Sequence, residues 1–281
     1  MSISTFQRTI PTSHGCLAVE QAGNGGMPVL LIHGNSFSRH VFRHQLQGRL
    51  AKRYHLIVFD LPGHGESGNA PDPMRSYTRS GFAEAAVELL ETLRVNEAVV
   101  LGWSLGGHIG IDMLPRFPGM RGLMITGTPP VGLENMAQSF KSSPRSGVAG
   151  RQDLSEADIH GFVEAVFGES AEPVLRDSVA RADDRFRRRL FEAARTGEGE
   201  DQRLAVKRST VPLAVVNGAE DRMINLDYID SVVYGNLWDG RCHRLTGLGH
   251  APFWEAPDEF DRILERFLQD VETGRAATRI A

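Results

Sequence analysis

The run Val99-Val100-Leu101-Gly102-Trp103-Ser104-Leu105-Gly106-Gly107-His108 constrains the fold more than any other stretch of this chain. A β-branched strand pattern runs directly into Gly-x-Ser-x-Gly, and a helical pattern follows. Strand, sharp corner and helix in that order form a nucleophile elbow, with the serine hydroxyl held out above the end of a parallel sheet. Gly102 and Gly106 flank the serine because the tight turn brings backbones too close for a Cβ. The pentapeptide alone is weak, since ordinary glycine-rich turns contain it. The strand before it and the helix after it make Ser104 a candidate nucleophile.

The same rhythm runs through much of the chain. Pro28–His33, His55–Asp60, Ala98–Leu101, Gly122–Thr126 and Leu213–Asn217 are nearly continuous apolar runs, as expected of parallel strands covered on both faces. Amphipathic stretches lie between them, such as Ser80–Leu93 with Phe82, Ala86, Leu89, Leu90 and Leu93 on one stripe. This order predicts an α/β fold, with a mostly parallel central sheet flanked by helices. Thr5–Ile10 and Cys16–Gln21 read as an antiparallel edge, and Arg241–Leu245 as a last strand. The rhythm breaks after Thr128-Pro129-Pro130. From there to about Lys207 no strand pattern is legible; Ser155-Glu156-Ala157-Asp158 reads as a helix cap, and Glu172–Arg195 as a charged helix. We therefore expect a core of residues 1–130 and 208–281, with 131–207 inserted as a helical cap. Arg181, Arg185, Arg187, Arg188 and Arg189 read as a solvated face or an ion-pair network with Asp183 and Asp184. Pro115 is expected to kink or end the helix after Ser104.

Composition narrows the function classes. A chain of 281 residues with 41% apolar residues buries a full-sized core. A formal charge of −4 points to neither nucleic acid nor an anionic membrane. Cys16 and Cys242 are too few for a disulfide framework, and no Cys-x-x-Cys is present. The N-terminal residues lack the apolar core of a signal peptide, and no apolar run approaches the roughly 18–20 residues of a membrane span. The expectation is a cytoplasmic protein with reduced thiols and no cofactor, acting on a small molecule; monomer and dimer both stay open.

A serine hydroxyl attacks only when a base takes its proton, and the base needs a carboxylate to fix its tautomer. Two late histidines qualify by position. His243 lies inside the strand Arg241–Leu245, whereas His250 lies in the loop beyond it, where such sheets place their sites. Two adjacent carboxylates, Glu220 and Asp221, leave the strand Leu213–Asn217; the loop after the preceding strand, Thr126-Gly127-Thr128, offers none. An oxyanion hole needs two backbone N–H groups. Leu105 and Asn35, in His33-Gly34-Asn35-Ser36, are the candidates, with His33 read as shaping that loop. Asp60-Leu61-Pro62-Gly63-His64-Gly65-Glu66-Ser67 reads as a tight structural loop. No further histidine completes a metal set with His64 and Glu66, so no metal is expected. His108 is read as a helix-packing residue.

Together these residues resemble the α/β-hydrolase superfamily, which implies an α/β-hydrolase fold and the chain order serine, acid, histidine. The spacing usual in that fold favours Asp221, three residues past Gly218, over Glu220. More narrowly, the chain resembles the metal-independent N-acyl-homoserine lactonases of this fold. The matching stretches are His33–Ser36, Asp60–Gly65, Gly102–Ile111, Arg121–Pro130, Gly235–Trp238 and Gly249–Phe253, and the likeness spans roughly residues 11–270. The Arg121–Pro130 and Gly235–Trp238 stretches are the more specific ones, because the fold does not require them. The acid in that family can be a glutamate, and a tyrosine associated with substrate contact falls at Phe162 here, which leaves substrate preference open. The resemblance implies attack by Ser104 on the lactone carbonyl, an oxyanion held by Leu105 and Asn35, and His250 and Asp221 completing the triad. Trp103, Met136, Phe140, Phe162, Val166 and Phe167 are candidates to cover the acyl tail, or else simply pack cap to core. A general carboxylesterase or a carbon–carbon-bond hydrolase would use the same triad, and a ligand receptor could reuse the scaffold. Epoxide hydrolases and haloalkane dehalogenases need a carboxylate nucleophile. Metal-dependent lactonases need a His-x-His-x-Asp-His cluster that this sequence lacks.

Overall fold

The computed structural model describes residues 5–141, 148 and 150–276. Eight strands form one sheet in the order β1-β2-β4-β3-β5-β6-β7-β8. They are β1 Thr5–Thr12, β2 Gly15–Ala22, β3 Pro28–Ile32, β4 His55–Phe59, β5 Ala98–Trp103, β6 Met120–Thr126, β7 Leu213–Gly218 and β8 His243–Leu245. The β1–β2 and β2–β4 pairs are antiparallel, and every pair from β4 to β8 is parallel. This is the α/β-hydrolase fold.

The strand residues explain the arrangement. All six residues of β5 and all six of β7 are buried, so both faces of the sheet are covered. One apolar cluster, with Leu30, Val100, Phe82 and Ile109, fills one side. The other, with Leu31, Leu101, Phe260 and Phe267, fills the opposite side. The edge hairpin differs: β1 has a single buried residue, Ile10. The helix Arg79–Thr92 starts at Thr78, whose side chain accepts the Gly81 N–H. The helix Leu105–Met113 stops just before Pro115, as expected from the restricted backbone ahead of a proline.

Between β6 and β7 the described residues form helices and no strand: Met136–Ser139, Glu156–Phe167, Pro173–Arg181, Asp184–Thr196 and Gln202–Arg208. Ser155 caps Glu156–Phe167 through a reciprocal bond with Asp158. The single helix expected over Glu172–Arg195 is instead two. The break falls at Ala182-Asp183, where the Asp183 side chain accepts the Arg185 N–H and starts a new helix. The arginine cluster divides too. Arg185 pairs with Asp183 and Arg188 with Glu192, but Arg187 is buried rather than solvated. Its Nε donates to Ser36 Oγ at 2.9 Å and its Nη2 to the Val179 carbonyl at 2.8 Å. Burial lowers its pKa to about 10, which still leaves a charged guanidinium at neutral pH. Among the described residues no helix is long and apolar enough to cross a membrane.

Candidate active site

Ser104 occupies the corner between β5 and the helix Leu105–Met113, at φ 53° and ψ −116°. A non-glycine residue with positive φ costs energy and persists only where its surroundings enforce it. Here they do. A Cβ on Gly102 would strike the Gly106 carbonyl, and one on Gly106 the carbonyl of Ile32. The Ser104 N–H bonds the Thr126 carbonyl at 2.9 Å, and Thr128 Oγ1 lies 2.9 Å from the Ser104 carbonyl. Thr128 thus braces the corner, a role the sequence does not announce. The Leu105 N–H belongs to the first helical turn, where no intrahelical acceptor exists. Asn35 lies in the loop after β3, and its Oδ1 accepts the Ser36 hydroxyl at 2.6 Å.

His250 follows β8, and Asp221 follows β7. His250 Nδ1 lies 2.7 Å from Asp221 Oδ2, and both side chains are buried. The carboxylate fixes Nδ1 as the protonated nitrogen and leaves Nε2 as the basic one. Asp221 Oδ1 accepts the Met223 and Ile224 N–H groups at 2.8 and 3.1 Å. Burial works against the charge of Asp221. His250 and those two N–H groups outweigh it and hold the carboxyl below the usual carboxylate range. Glu220 is exposed. His243, inside β8, packs against Trp238 with ring centroids 5.2 Å apart and the rings tilted by 35°.

The supports of His250 were not legible in advance. Glu255 accepts the Gly249 N–H at 2.7 Å and the Ala251 N–H at 3.1 Å, so one carboxylate clamps both sides of the histidine. Gly127, at φ +60°, leaves room where a Cβ would strike the imidazole. Trp103 donates its indole N–H to the His250 carbonyl at 2.9 Å.

Ser104, His250, Asn35 and Leu105 all line one cavity of about 370 Å³. Trp103, Met136, Phe140, Phe162 and Val166 also line it. Phe167 does not. It sits behind the wall, packed on Phe37, Trp103 and Trp254 with ring centroids 5.1–5.6 Å apart. The reason is helical phase: one residue beyond Val166 turns its side chain by about 100°. The cavity wall includes His108, read from sequence as packing. His108 Nδ1 lies 2.7 Å from Gln202 Oε1, and Gln202 Nε2 reaches the His108 carbonyl and Asp112 Oδ1. Burial, then the charge of Arg79, push the His108 pKa down to about 4. The Asp60–Ser67 loop is structural: Asp60 accepts the backbone N–H groups of Arg39 and Glu66 and pairs with the Arg39 guanidinium. His33 accepts the Leu61 N–H at 3.0 Å, which pins the loop bearing Asn35. Among the described residues no three His, Cys, Asp or Glu side chains cluster as metal ligands would. The site can therefore present a hydroxyl and a carboxylate-steadied imidazole to one apolar chamber.

Comparison with known proteins places the chain in a family. The model of the α/β-hydrolase family matches residues 29–263. A crystal structure of the N-acyl homoserine lactonase AidH complexed with N-butanoyl homoserine is 48% identical, covers 95% of this chain and 97% of that one, and superposes with a TM-score of 0.93. A serine-to-glycine variant of the same lactonase, complexed with N-hexanoyl homoserine lactone, is also 48% identical, with TM-score 0.93 and coverage of 95% and 98%. A pimeloyl-[acyl-carrier protein] methyl ester esterase of Stenotrophomonas maltophilia is 29% identical over 262 residues, 89% of this chain and 95% of that protein. The chain belongs to the α/β-hydrolase family.

Proposed function

We propose that this α/β hydrolase opens the lactone ring of N-acyl-homoserine lactones through an acyl-enzyme on Ser104. His250 Nε2 takes the serine proton as Oγ attacks the ring carbonyl. The Leu105 and Asn35 N–H groups hold the developing oxyanion. The ring oxygen leaves with the proton from His250, and Asp221 stabilises the imidazolium between the two transfers. Water, deprotonated by His250, then attacks the ester and releases the open N-acyl-homoserine. Residues 131–207 act as a cap whose Met136, Phe140, Phe162 and Val166 cover the acyl tail.

The substrate rests on one observation, the 48% identity over 95% of the chain to a lactonase seen with a ring-opened acyl homoserine. A structure of that lactonase with a serine replaced by glycine carries the intact lactone, which supports a serine-dependent opening. The methyl ester esterase relative keeps a general esterase as the second reading.

The test is ring opening of N-hexanoyl homoserine lactone, followed by acid release in a pH-stat, with p-nitrophenyl esters as the comparison. We expect lactone opening that Ser104→Ala lowers by roughly 10⁴-fold or more. Ester turnover without lactone opening would defeat the lactonase reading. A fluorophosphonate probe that fails to label Ser104 would defeat the nucleophile assignment.

A further inference from the structure

His108 lines the cavity together with Arg79, Lys141 and Arg195, which can only donate hydrogen bonds, and its own hydrogen bonds define which partner it accepts. Gln202 spends both amide protons, one on the His108 carbonyl at 2.9 Å and one on Asp112 Oδ1 at 2.7 Å. Its Oε1 is therefore left to accept, and what it faces at 2.7 Å is His108 Nδ1. The Nδ1 atom must carry the ring proton. Nε2 is then a lone-pair acceptor, and among the described residues no protein group bonds it. Burial and Arg79 keep the ring uncharged at neutral pH, so Nε2 does not become a donor.

The position of that acceptor is fixed by the helix. His108 follows Ser104 by four residues, and its N–H bonds the Ser104 carbonyl at 3.2 Å. Both residues line the same cavity, and His108 lies about 6 Å along the helix axis from the serine, four residues at about 1.5 Å each. In an N-acyl-homoserine lactone the amide nitrogen is two bonds from the attacked carbonyl, too close to reach this far. Carbon 3 of the acyl chain is five bonds away, and five zigzag bonds of about 1.5 Å span about 6 Å. A chain running from Ser104 along the helix brings its carbon 3 over His108.

We propose that His108 Nε2 is a specificity subsite that accepts a hydrogen bond from a hydroxyl at carbon 3 of the acyl chain. It favours 3-hydroxyacyl over 3-oxoacyl substrates. A 3-oxo group sets its carbonyl oxygen against the nitrogen lone pair, and an unsubstituted chain leaves the acceptor unmatched. This inference rests on the lactonase reading and specifies its substrate class.

The test compares kcat/KM for N-hexanoyl, N-(3-hydroxyhexanoyl) and N-(3-oxohexanoyl) homoserine lactone in the full-length protein. A neutral hydrogen bond corresponds to a preference of roughly three- to tenfold for the 3-hydroxy over the 3-oxo compound. His108→Leu brings that ratio to about one, and because the readout is a ratio between two lactones, any general loss of activity in the variant cancels. A second arm is independent of whether that variant folds: nitrogen-15 NMR of the native protein, with its ring signals assigned through His108→Asn, places the proton on Nδ1. Equal turnover of the three lactones, an unchanged ratio in His108→Leu, or a proton on Nε2 overturns the subsite while the lactonase reading stands. No opening of any of the three overturns the lactonase reading, and the subsite with it.

Discussion

At the scale of single residues the site depends on which atom of each group is already occupied. Asp221 spends Oδ1 on two backbone N–H groups, which aims Oδ2 at His250. Asp221→Asn keeps the shape but offers Nδ1 an amide, and the imidazole turns to the wrong tautomer. We expect kcat to fall on the order of 10³–10⁴-fold, as measured on N-hexanoyl homoserine lactone, with the fold intact by circular dichroism. A loss under tenfold would mean that Glu220 or another carboxylate steadies the base. The carboxyl also contributes to stability. Its pKa is depressed on folding, so the contribution is present above the unfolded value near 4 and is lost as pH falls through the folded value. The same logic of occupied atoms explains what the sequence could and could not tell about single residues. Ser104 was legible because its corner needs two glycines at fixed spacing. Arg187 was not, because its burial depends on Ser36 and Val179, contacts that helical charge patterns do not record.

At the scale of elements, polar side-chain contacts tie distant segments together, and one of these is costly at neutral pH. Asp261 lies in the helix Pro257–Glu272 and is buried. Gln45 Nε2 donates to Asp261 Oδ1 at 2.9 Å and to the Phe253 carbonyl at 3.0 Å, tying that helix to the segment Arg43–Gln47. Burial, only partly offset by Gln45, pushes the Asp261 pKa up to about 6. A raised carboxyl pKa means that the folded state holds the proton more tightly. The stability this group allows is full below about pH 4, is lost as pH rises through about 6, and is constant above that. Asp261→Asn removes the charge and keeps an acceptor for Gln45. We expect it to stabilise the protein by about 1–2 kcal/mol at pH 7.5, and to have little effect near pH 4. In thermal melts that gain is a rise in Tm of a few degrees, since about 1 kcal/mol moves Tm roughly 2–4 °C for a larger domain. Parallel pH profiles for the two proteins would contradict the assignment. Elements themselves were legible in unequal measure. β3, β5 and β7 stood out as apolar runs because both of their faces are covered. The break at Asp183 did not, since an aspartate within a charged helical run reads as solvated until its cap bond to Arg185 is seen.

At the scale of the whole molecule, the sheet positions Ser104, Asp221 and His250, and the helices between β6 and β7 supply part of the cavity wall beside them. The C-terminal ends of β5, β7 and β8 converge on Ser104, Asp221 and His250, as the strand order dictates. That convergence was legible because it follows from strands and the loops that leave them. The cavity wall was read only in part. Phe162 and Val166 share a helix face and line the cavity, but Phe167 turns away into the core, a difference of phase rather than of residue type. The wall gives the last prediction. Val166 is buried in the helix Glu156–Phe167, one turn after Phe162, which stacks on Phe37. Val166→Trp places an indole inside a chamber of about 370 Å³, far more bulk than the chamber can lose without shortening the chain it accepts. We expect kcat/KM for N-decanoyl homoserine lactone to fall about tenfold or more relative to N-butanoyl, while p-nitrophenyl acetate is hydrolysed at close to the original rate. Overpacking also costs stability, about 1–3 kcal/mol, so a melt must establish that the variant is folded at the assay temperature. If long and short chains lose activity in equal proportion, the tail does not lie against this helix, and the acyl chain leaves Ser104 along another wall of the cavity.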